Sequence, residues 1–85
     1  MEERRYHTAT ITIYNRDTSH QKVQELLHKH SDNITMRVGY PLESEKMAII
    51  FLILNMSNDK LGALSGQLGQ LEDVDIQTTS LNLSE

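Results

Sequence analysis

The feature that most constrains the fold is an uninterrupted apolar run at residues 47–54. Eight residues are far fewer than the ~20 that a helix needs to cross a bilayer, and the length suits a β-strand. Because strand side chains alternate between the two faces of a sheet, this strand is apolar on both faces. Helices on one face of the sheet would leave several aliphatic side chains of the other face in water, which forfeits several kcal/mol at about 25 cal/mol per Å².

We expect a second copy of the chain to cover that face, giving a homodimer or homotetramer that associates through the sheet. The alternative is a central strand whose outer face is shielded by long neighbouring side chains. Those neighbours would be Tyr6, Tyr14 and Arg37.

The other segments alternate in kind. Period-two patterns predict strands at residues 6–14, 34–39 and 74–79, and a stripe of apolar residues at helical spacing predicts a helix over about 18–31. A second helix follows the potential cap at residues 57–59, and a short polar connection at 42–45 joins the middle strands. The order β-α-β-β-α-β predicts an α+β, ferredoxin-like fold: a four-stranded antiparallel sheet with two helices on one face. Residues 1–85 are expected to form one domain.

Two details carry further expectations. Ile34, Met36 and Val38 alternate with polar or small residues, which predicts a half-buried strand that ends at Pro41. Gly62, Gly66 and Gly69 recur on one side of the second helix, where they would let another element approach closely. The alternative is a helix that is short or kinked, or that ends near Gly66.

Composition excludes several functions. Eight Lys and Arg against twelve Asp and Glu give a formal charge of −4, so we expect no direct nucleic-acid binding. Cysteine is absent, which removes disulfides, thiolate catalysis and cysteine-ligated metals. We see no secretion signal or membrane-spanning segment, and expect a cytoplasmic protein.

The histidines do not form a metal pair. His28 and His30 are two residues apart and diverge around a helix, whereas His20 and His28 are two turns apart. We therefore expect neither a metal nor another cofactor. Without a cysteine, a phosphate-binding loop or a nucleophile elbow, no catalytic constellation is present, and we expect a protein that is not an enzyme.

Three strings carry a resemblance that covers essentially the whole chain: RVGYP at residues 37–41, MAIIFL at 47–52 and GALSGQLG at 62–69. Together they resemble the family of iron-only hydrogenase system regulators. The resemblance implies an ACT-like, ferredoxin-like fold, similar to the C-terminal effector domain of the nickel-responsive repressor. It also implies a non-enzymatic regulatory role linked to hydrogenase genes.

The chain departs from these wider relatives in three respects. It begins directly at the first strand, without a ribbon-helix-helix module, and the strands within 34–54 contain no histidine. The glycine that many amino-acid-binding ACT domains place after the first strand is replaced by residues 15–17. DNA binding, nickel binding and amino-acid sensing therefore lose support, and we expect any transcriptional effect to pass through an unidentified regulatory partner protein.

The first strand-to-helix turn is the candidate site for a small-molecule effector. Helix amide groups and an arginine meet there, so a small anion could dock. If strands pair across a dimer, Arg37, Gly39 and Tyr40 could border the pocket. The predicted ligand-binding residues are Asn15, Arg16, Asp17, Thr18, Arg37, Gly39 and Tyr40.

The alternative for this turn is purely structural: Asp17 or Thr18 caps the helix and Arg16 is solvated. For the whole chain, the preferred function is an oligomeric effector-binding or interaction module. The alternatives are a small-ligand or metal sensor with sites at subunit interfaces and, in a different class, a small enzyme.

Overall fold

The computed structural model describes residues 3–42 and 45–83. Two residues of the predicted polar connection, 43 and 44, lie outside this range. The elements are β1 (Arg4–Ile13), α1 (Arg16–Lys29), β2 (Ile34–Leu42), β3 (Met47–Ser57), α2 (Asn58–Gly69) and β4 (Val74–Ser80), with a 3₁₀ turn at Ser31–Asn33 after α1. The strands form one antiparallel sheet in the order β2-β3-β1-β4, and the predicted ferredoxin-like α+β fold is confirmed.

The core lies between the helices and one face of the sheet. Alternate residues of β1 and β3 point to this face and meet across the sheet, as in the pair Ile11 and Ile50. Both helices add apolar side chains at helical spacing. The buried apolar residues are Ala9, Ile11, Ile13, Val23, Leu27, Ala48, Ile50, Leu52, Leu54, Met56, Leu61, Leu64 and Leu68.

Both helices begin at a polar cap. The Ser57 side chain accepts a hydrogen bond from the Lys60 N–H at 3.2 Å, which confirms the predicted cap of α2. At α1 the cap is Asn15, so the alternative that Asp17 or Thr18 caps this helix is wrong. α1 consequently begins two residues earlier than the apolar stripe predicts, because the stripe marks buried positions rather than the first turn.

The prediction of a half-buried β2 is wrong. Ile34 pairs with Leu54 on the core side, but a β-bulge follows and Met36 pairs with Ile53 on the opposite face. The extra residue of a bulge shifts the alternation, so Ile34 packs against the core whereas Met36 and later apolar residues point away from the helices. Seven of the nine residues in β2 are exposed.

No other element in the described part of the chain packs closely against the glycines of α2. A Cβ atom built at Gly62, Gly66 or Gly69 would meet nothing within 4 Å. The predicted close contact is therefore absent within the described residues. The alternative of an early end near Gly66 is also wrong, because α2 continues to Gly69. No helix in the described part of the chain is long and apolar enough to cross a membrane.

Candidate functional site

The face of the sheet opposite the helices, here called the open face, changes from apolar to polar across the strands. Three rows of paired residues define it, each read from β2 through β3 and β1 to β4. The rows are Met36–Ile53–Thr8–Thr79, Val38–Phe51–Thr10–Gln77 and Tyr40–Ile49–Thr12–Asp75. The β2 and β3 members are apolar, and we call these six residues the apolar half. The β1 and β4 members are polar.

The apolar half is exposed in the single chain. The exposed fractions are 62% for Tyr40, 48% for Val38, 45% for Phe51 and 44% for Met36. With Tyr6 and Tyr14 included, the exposed apolar area is on the order of 600 Å², if a whole aromatic side chain contributes about 150–250 Å². Large exposed apolar patches on folded proteins are often functional surfaces, so the apolar half is the candidate functional site.

The structure does not support the shielding of this face by long neighbours. Arg37 pairs with Leu52, whose side chain is buried in the core, so Arg37 lies on the helix side of the sheet. Its guanidinium donates a hydrogen bond to the Gln24 side chain of α1. Tyr6 and Tyr14 are themselves exposed, and Phe51 remains exposed beside them.

The predicted effector turn is held mostly by its own hydrogen bonds. The Asn15 side chain accepts from the Asp17 N–H at 3.0 Å, and the Thr18 hydroxyl donates to the Asn15 carbonyl at 3.1 Å. Asp17 forms an exposed ion pair with Lys46 at 3.2 Å. Arg16 is half-buried, and its guanidinium has no hydrogen-bond or ion-pair partner among the residues described.

Two residues with left-handed backbone conformations support this turn. Lys46 has φ 56° and Asp73 has φ 60°. The Lys46 carbonyl accepts from the Arg16 N–H at 2.9 Å, and the Asp73 carbonyl accepts from the Tyr14 N–H at 2.8 Å. Left-handed conformations are unfavourable for residues other than glycine, so these two carbonyls are placed at a local cost that the hydrogen bonds offset.

The other predicted site residues do not lie at the turn within one chain. Arg37 and Gly39 point to the helix side of β2, whereas Tyr40 points to the open face. Arg37 instead borders a groove of about 690 Å³ between α1 and β2, with Leu27, His28 and Ile34 in its lining. Sequence reasoning missed this groove, because the bulge that places Arg37 opposite α1 leaves no clear signal in the sequence.

His7 is fully buried where β1, β3 and β4 meet at one end of the sheet. Its Nε2 lies 3.0 Å from the Met56 carbonyl and its Nδ1 lies 2.9 Å from the Ser80 hydroxyl. Because a carbonyl only accepts, Nε2 donates, and the Nδ1 of a neutral ring accepts from Ser80. The described ranges contain no group of three or more His, Asp or Glu residues that could hold a metal ion.

Comparison with known proteins shows the family of this chain. The profile of the family "TM1266-like: Iron-only hydrogenase system regulator, putative" matches residues 5–78. The chain belongs to this family. The strings at 37–41, 47–52 and 62–69 all lie within the matched range, so the resemblance drawn from them is confirmed.

Similar solved structures include two proteins that differ widely in their identity to this chain. The uncharacterised protein TM1266 of Thermotoga maritima is similar, with 48% identity, a TM-score of 0.90, and coverage of 94% of this chain and 100% of that one. A formyltetrahydrofolate deformylase from Pseudomonas syringae pv. tomato matches at 14% identity and a TM-score of 0.65. That match covers 92% of this chain but 28% of the deformylase, and shows the fold alone. No curated protein matches the chain.

Proposed function

We propose that the protein is a non-enzymatic regulator of an iron-only hydrogenase system that works as a homo-oligomeric interaction or effector-binding module. The family description supports the link to hydrogenase regulation. The apolar half of the open face supports the oligomer, and it is the observation on which the proposal depends. The polar residues that β1 and β4 contribute to the open face would form the rim of the interface.

The size of the open face suits a second copy of the chain. A standard interface buries about 800 Å² on each partner, and the exposed apolar side chains provide on the order of 600 Å² before the half-buried Ile49 and Ile53 are counted. None of the six residues of the apolar half carries a charge. Two copies with a net charge of −4 each can therefore meet there without bringing like charges together.

Sedimentation or light scattering with a lysine substitution tests the oligomer. Phe51→Lys places a charge in the middle of the apolar half, and Gln77→Lys places the same charge in the same row on β4. We expect the wild type and Gln77→Lys to associate at micromolar concentration, and Phe51→Lys to lose about tenfold or more in affinity. A wild-type mass of 9.7 kDa under these conditions would contradict the proposal.

The regulatory part needs a test in cells. Deleting the gene should change the amount of iron-only hydrogenase transcript, and wild-type protein or Gln77→Lys should restore it. We expect Phe51→Lys to fail, because the module acts as an oligomer. Transcript amounts that stay the same after deletion, under both inducing and non-inducing conditions, would argue against a regulatory role.

The effector site at the first turn is a separate part of this proposal. Asn15, Asp17 and Thr18 are already engaged, so the half-buried Arg16 is the group available to bind a small anion. Inorganic phosphate and simple carboxylates should raise the melting temperature of the wild type but not of Arg16→Ala. Equal shifts in both proteins, or none in either, would remove this site while leaving the oligomer untouched.

A further inference from the structure

The formal charge of the chain is distributed unevenly along its sequence. Residues 1–60 contain eight Lys and Arg and eight Asp and Glu, so their formal charges cancel. Residues 61–85 contain four Asp and Glu and no Lys, Arg or His, and they therefore carry the whole formal charge of −4. Three of these four acidic residues lie at the start of β4 or just before it: Glu72, Asp73 and Asp75. Because β4 forms one edge of the sheet, this edge is acidic.

The hydrogen bonds between β1 and β4 show which backbone groups of β4 point outward. The Tyr14 N–H donates to the Asp73 carbonyl at 2.8 Å, at one end of the ladder. The Leu81 N–H donates to the Tyr6 carbonyl at 2.9 Å, at the other end. Bonded pairs recur at every second residue of an antiparallel ladder, so the odd-numbered residues of β4 bond to β1. The N–H and C=O groups that point to the free edge are therefore those of Val74, Ile76, Thr78 and Ser80.

The free edge of β4 lacks the features that usually prevent an edge strand from pairing. Natural proteins protect such edges with lysine, proline or a bulge. β4 contains neither lysine nor proline, and its register with β1 continues without a bulge over all seven residues. β2, at the opposite edge, contains both a bulge after Ile34 and Pro41. No described strand pairs with the outer side of β4, which is therefore a regular template for a further strand.

The side chains of β4 indicate the chemistry of the strand that would fit. On the helix side of the sheet, Val74 and Ile76 are half-buried against the core, so apolar side chains of an added strand would cover what remains exposed. On the open face, Asp75 is exposed and has no ion-pair or hydrogen-bond partner among the residues described. Opposite charges on neighbouring strands stabilise their pairing. The edge therefore fits an extended segment in which apolar residues alternate with Lys or Arg.

We propose that the free edge of β4 binds an extended basic segment of a partner protein, which adds a fifth strand to the sheet. The backbone of the segment bonds to the outward groups of β4, and its basic side chains lie beside Asp75. A second β4 is a poorer occupant, because it offers Asp75 no cation and brings a further charge of −4. This inference goes beyond the proposed function: it assigns a surface to the expected regulatory partner and does not depend on self-association through the open face.

Three synthetic peptides of about eight residues, a usual strand length, test this edge on the full chain. The first alternates lysine with valine, the second has glutamate in place of lysine, and the third is the lysine peptide with every backbone nitrogen methylated. Isothermal titration gives their affinities. We expect the first to bind about tenfold or more tightly than the other two. The glutamate peptide meets a like charge, and the methylated peptide keeps its charge but has no N–H to donate.

Amide hydrogen exchange read by NMR locates the bound peptide. Saturating lysine peptide should slow exchange about tenfold or more at the four outward amides, those of residues 74, 76, 78 and 80. The Gln77 amide already donates to β1 and serves as an internal reference. If the four outward amides are instead protected in the free protein, increasingly with its concentration, a second copy occupies the edge, and the assignment to a partner protein is overturned.

Substitutions in the chain supply the matched controls. Asp75→Lys should weaken the lysine peptide about tenfold and strengthen the glutamate peptide. Asp32→Lys makes the same change at an exposed aspartate before β2, at the opposite edge, and should alter neither affinity in physiological salt, where charges more than about 8 Å apart are screened. Thr78→Pro removes one outward N–H without breaking a bond to β1, and should abolish binding of the lysine peptide.

The outcomes separate this inference from the proposed function. Equal affinities for the lysine peptide and its methylated form would overturn the added strand, and this comparison uses the wild type, so it holds even if Thr78→Pro fails to fold. An unchanged affinity in Asp75→Lys would overturn the preference for a basic segment. A protein that self-associates but binds no peptide would overturn the β4 surface and leave the oligomer intact. A single-chain mass with tight binding of the lysine peptide would support the surface and contradict the oligomer.

Discussion

Removing the His7 imidazole should destabilise the protein, because both ring nitrogens form hydrogen bonds at a fully buried position. In His7→Leu, both ring nitrogens are lost, and with them the bonds to the Met56 carbonyl and the Ser80 hydroxyl. Ser80 is exposed, so its hydroxyl can bond to water instead. Met56 is fully buried and pairs with Arg5 in the β1–β3 ladder, so its carbonyl keeps a backbone donor but loses the His7 donor, which water cannot readily replace. The larger part of the effect therefore comes from the carbonyl.

The expected magnitude follows from these two bonds. The bond to Ser80 contributes about 0.5–1 kcal/mol, and loss of the His7 bond to the Met56 carbonyl, which keeps its ladder bond, costs about 1–1.5 kcal/mol. Leucine recovers part of this by burying apolar area, so we expect a net loss of about 1–2 kcal/mol in the free energy of unfolding. Domains of this size have about 5–10 kcal/mol in total, so the melting temperature should fall by roughly 4–16 °C.

Urea unfolding followed by circular dichroism, at one fixed protein concentration, measures this loss. Thr8→Val changes the neighbouring β1 residue, which points to the open face, and serves as the control with little expected effect. Ser80→Ala alone should cost about 0.5–1 kcal/mol, and the double variant His7→Leu/Ser80→Ala should be no less stable than His7→Leu. A His7→Leu protein within 0.5 kcal/mol of the wild type, or fully additive costs in the double variant, would refute the reasoning.

Four further substitutions have expected outcomes in the same unfolding assay. Asn15→Ala removes the cap of α1 and should cost about 1 kcal/mol, whereas Asp17→Ala breaks only an exposed ion pair and should cost less than about 0.5 kcal/mol. Asn33→Ala leaves the Asn55 carbonyl without the Asn33 amide donor at 2.9 Å, and should cost about 1–2 kcal/mol. Gly66→Ala should stabilise the protein by about 0.5–1 kcal/mol, since a Cβ atom at this position meets nothing within 4 Å and alanine favours the helix. A lower free energy of unfolding in this variant would contradict the open space around Gly66 and would point to another molecule packed against α2.

Much of the fold could be predicted because hydrophobic alternation is local. The period-two pattern at residues 6–14 predicted a strand, and in β1 the same alternation places His7, Ile11 and Ile13 on the core face. The potential cap at residues 57–59 predicted the start of α2, which Ser57 caps. The start of α1 could not be predicted to the residue, because several adjacent residues can cap a helix and only the backbone geometry selects Asn15.

The candidate surface was predictable in part. The apolar character of β3 on both faces already implied that one face needs a cover, and the exposed Phe51 agrees with that. The contribution of β2 was not predictable, because a one-residue bulge reverses the face of Met36 and Val38, and a bulge depends on how one strand pairs with its neighbour rather than on the pattern within the strand. The opposite orientations of Arg37 and Tyr40 follow from the same pairing.

The sequence by itself determined the order of the elements, the two-sided apolar strand and the side of β1 that faces the core, since each depends on residues close together in the chain. Only the tertiary structure decided which strand lies at the edge, which apolar residues gather into one surface, and which groups meet His7. These depend on strand register and order, and they join residues as far apart as His7 and Ser80. Contacts of such range are set by packing of the whole sheet rather than by any local pattern.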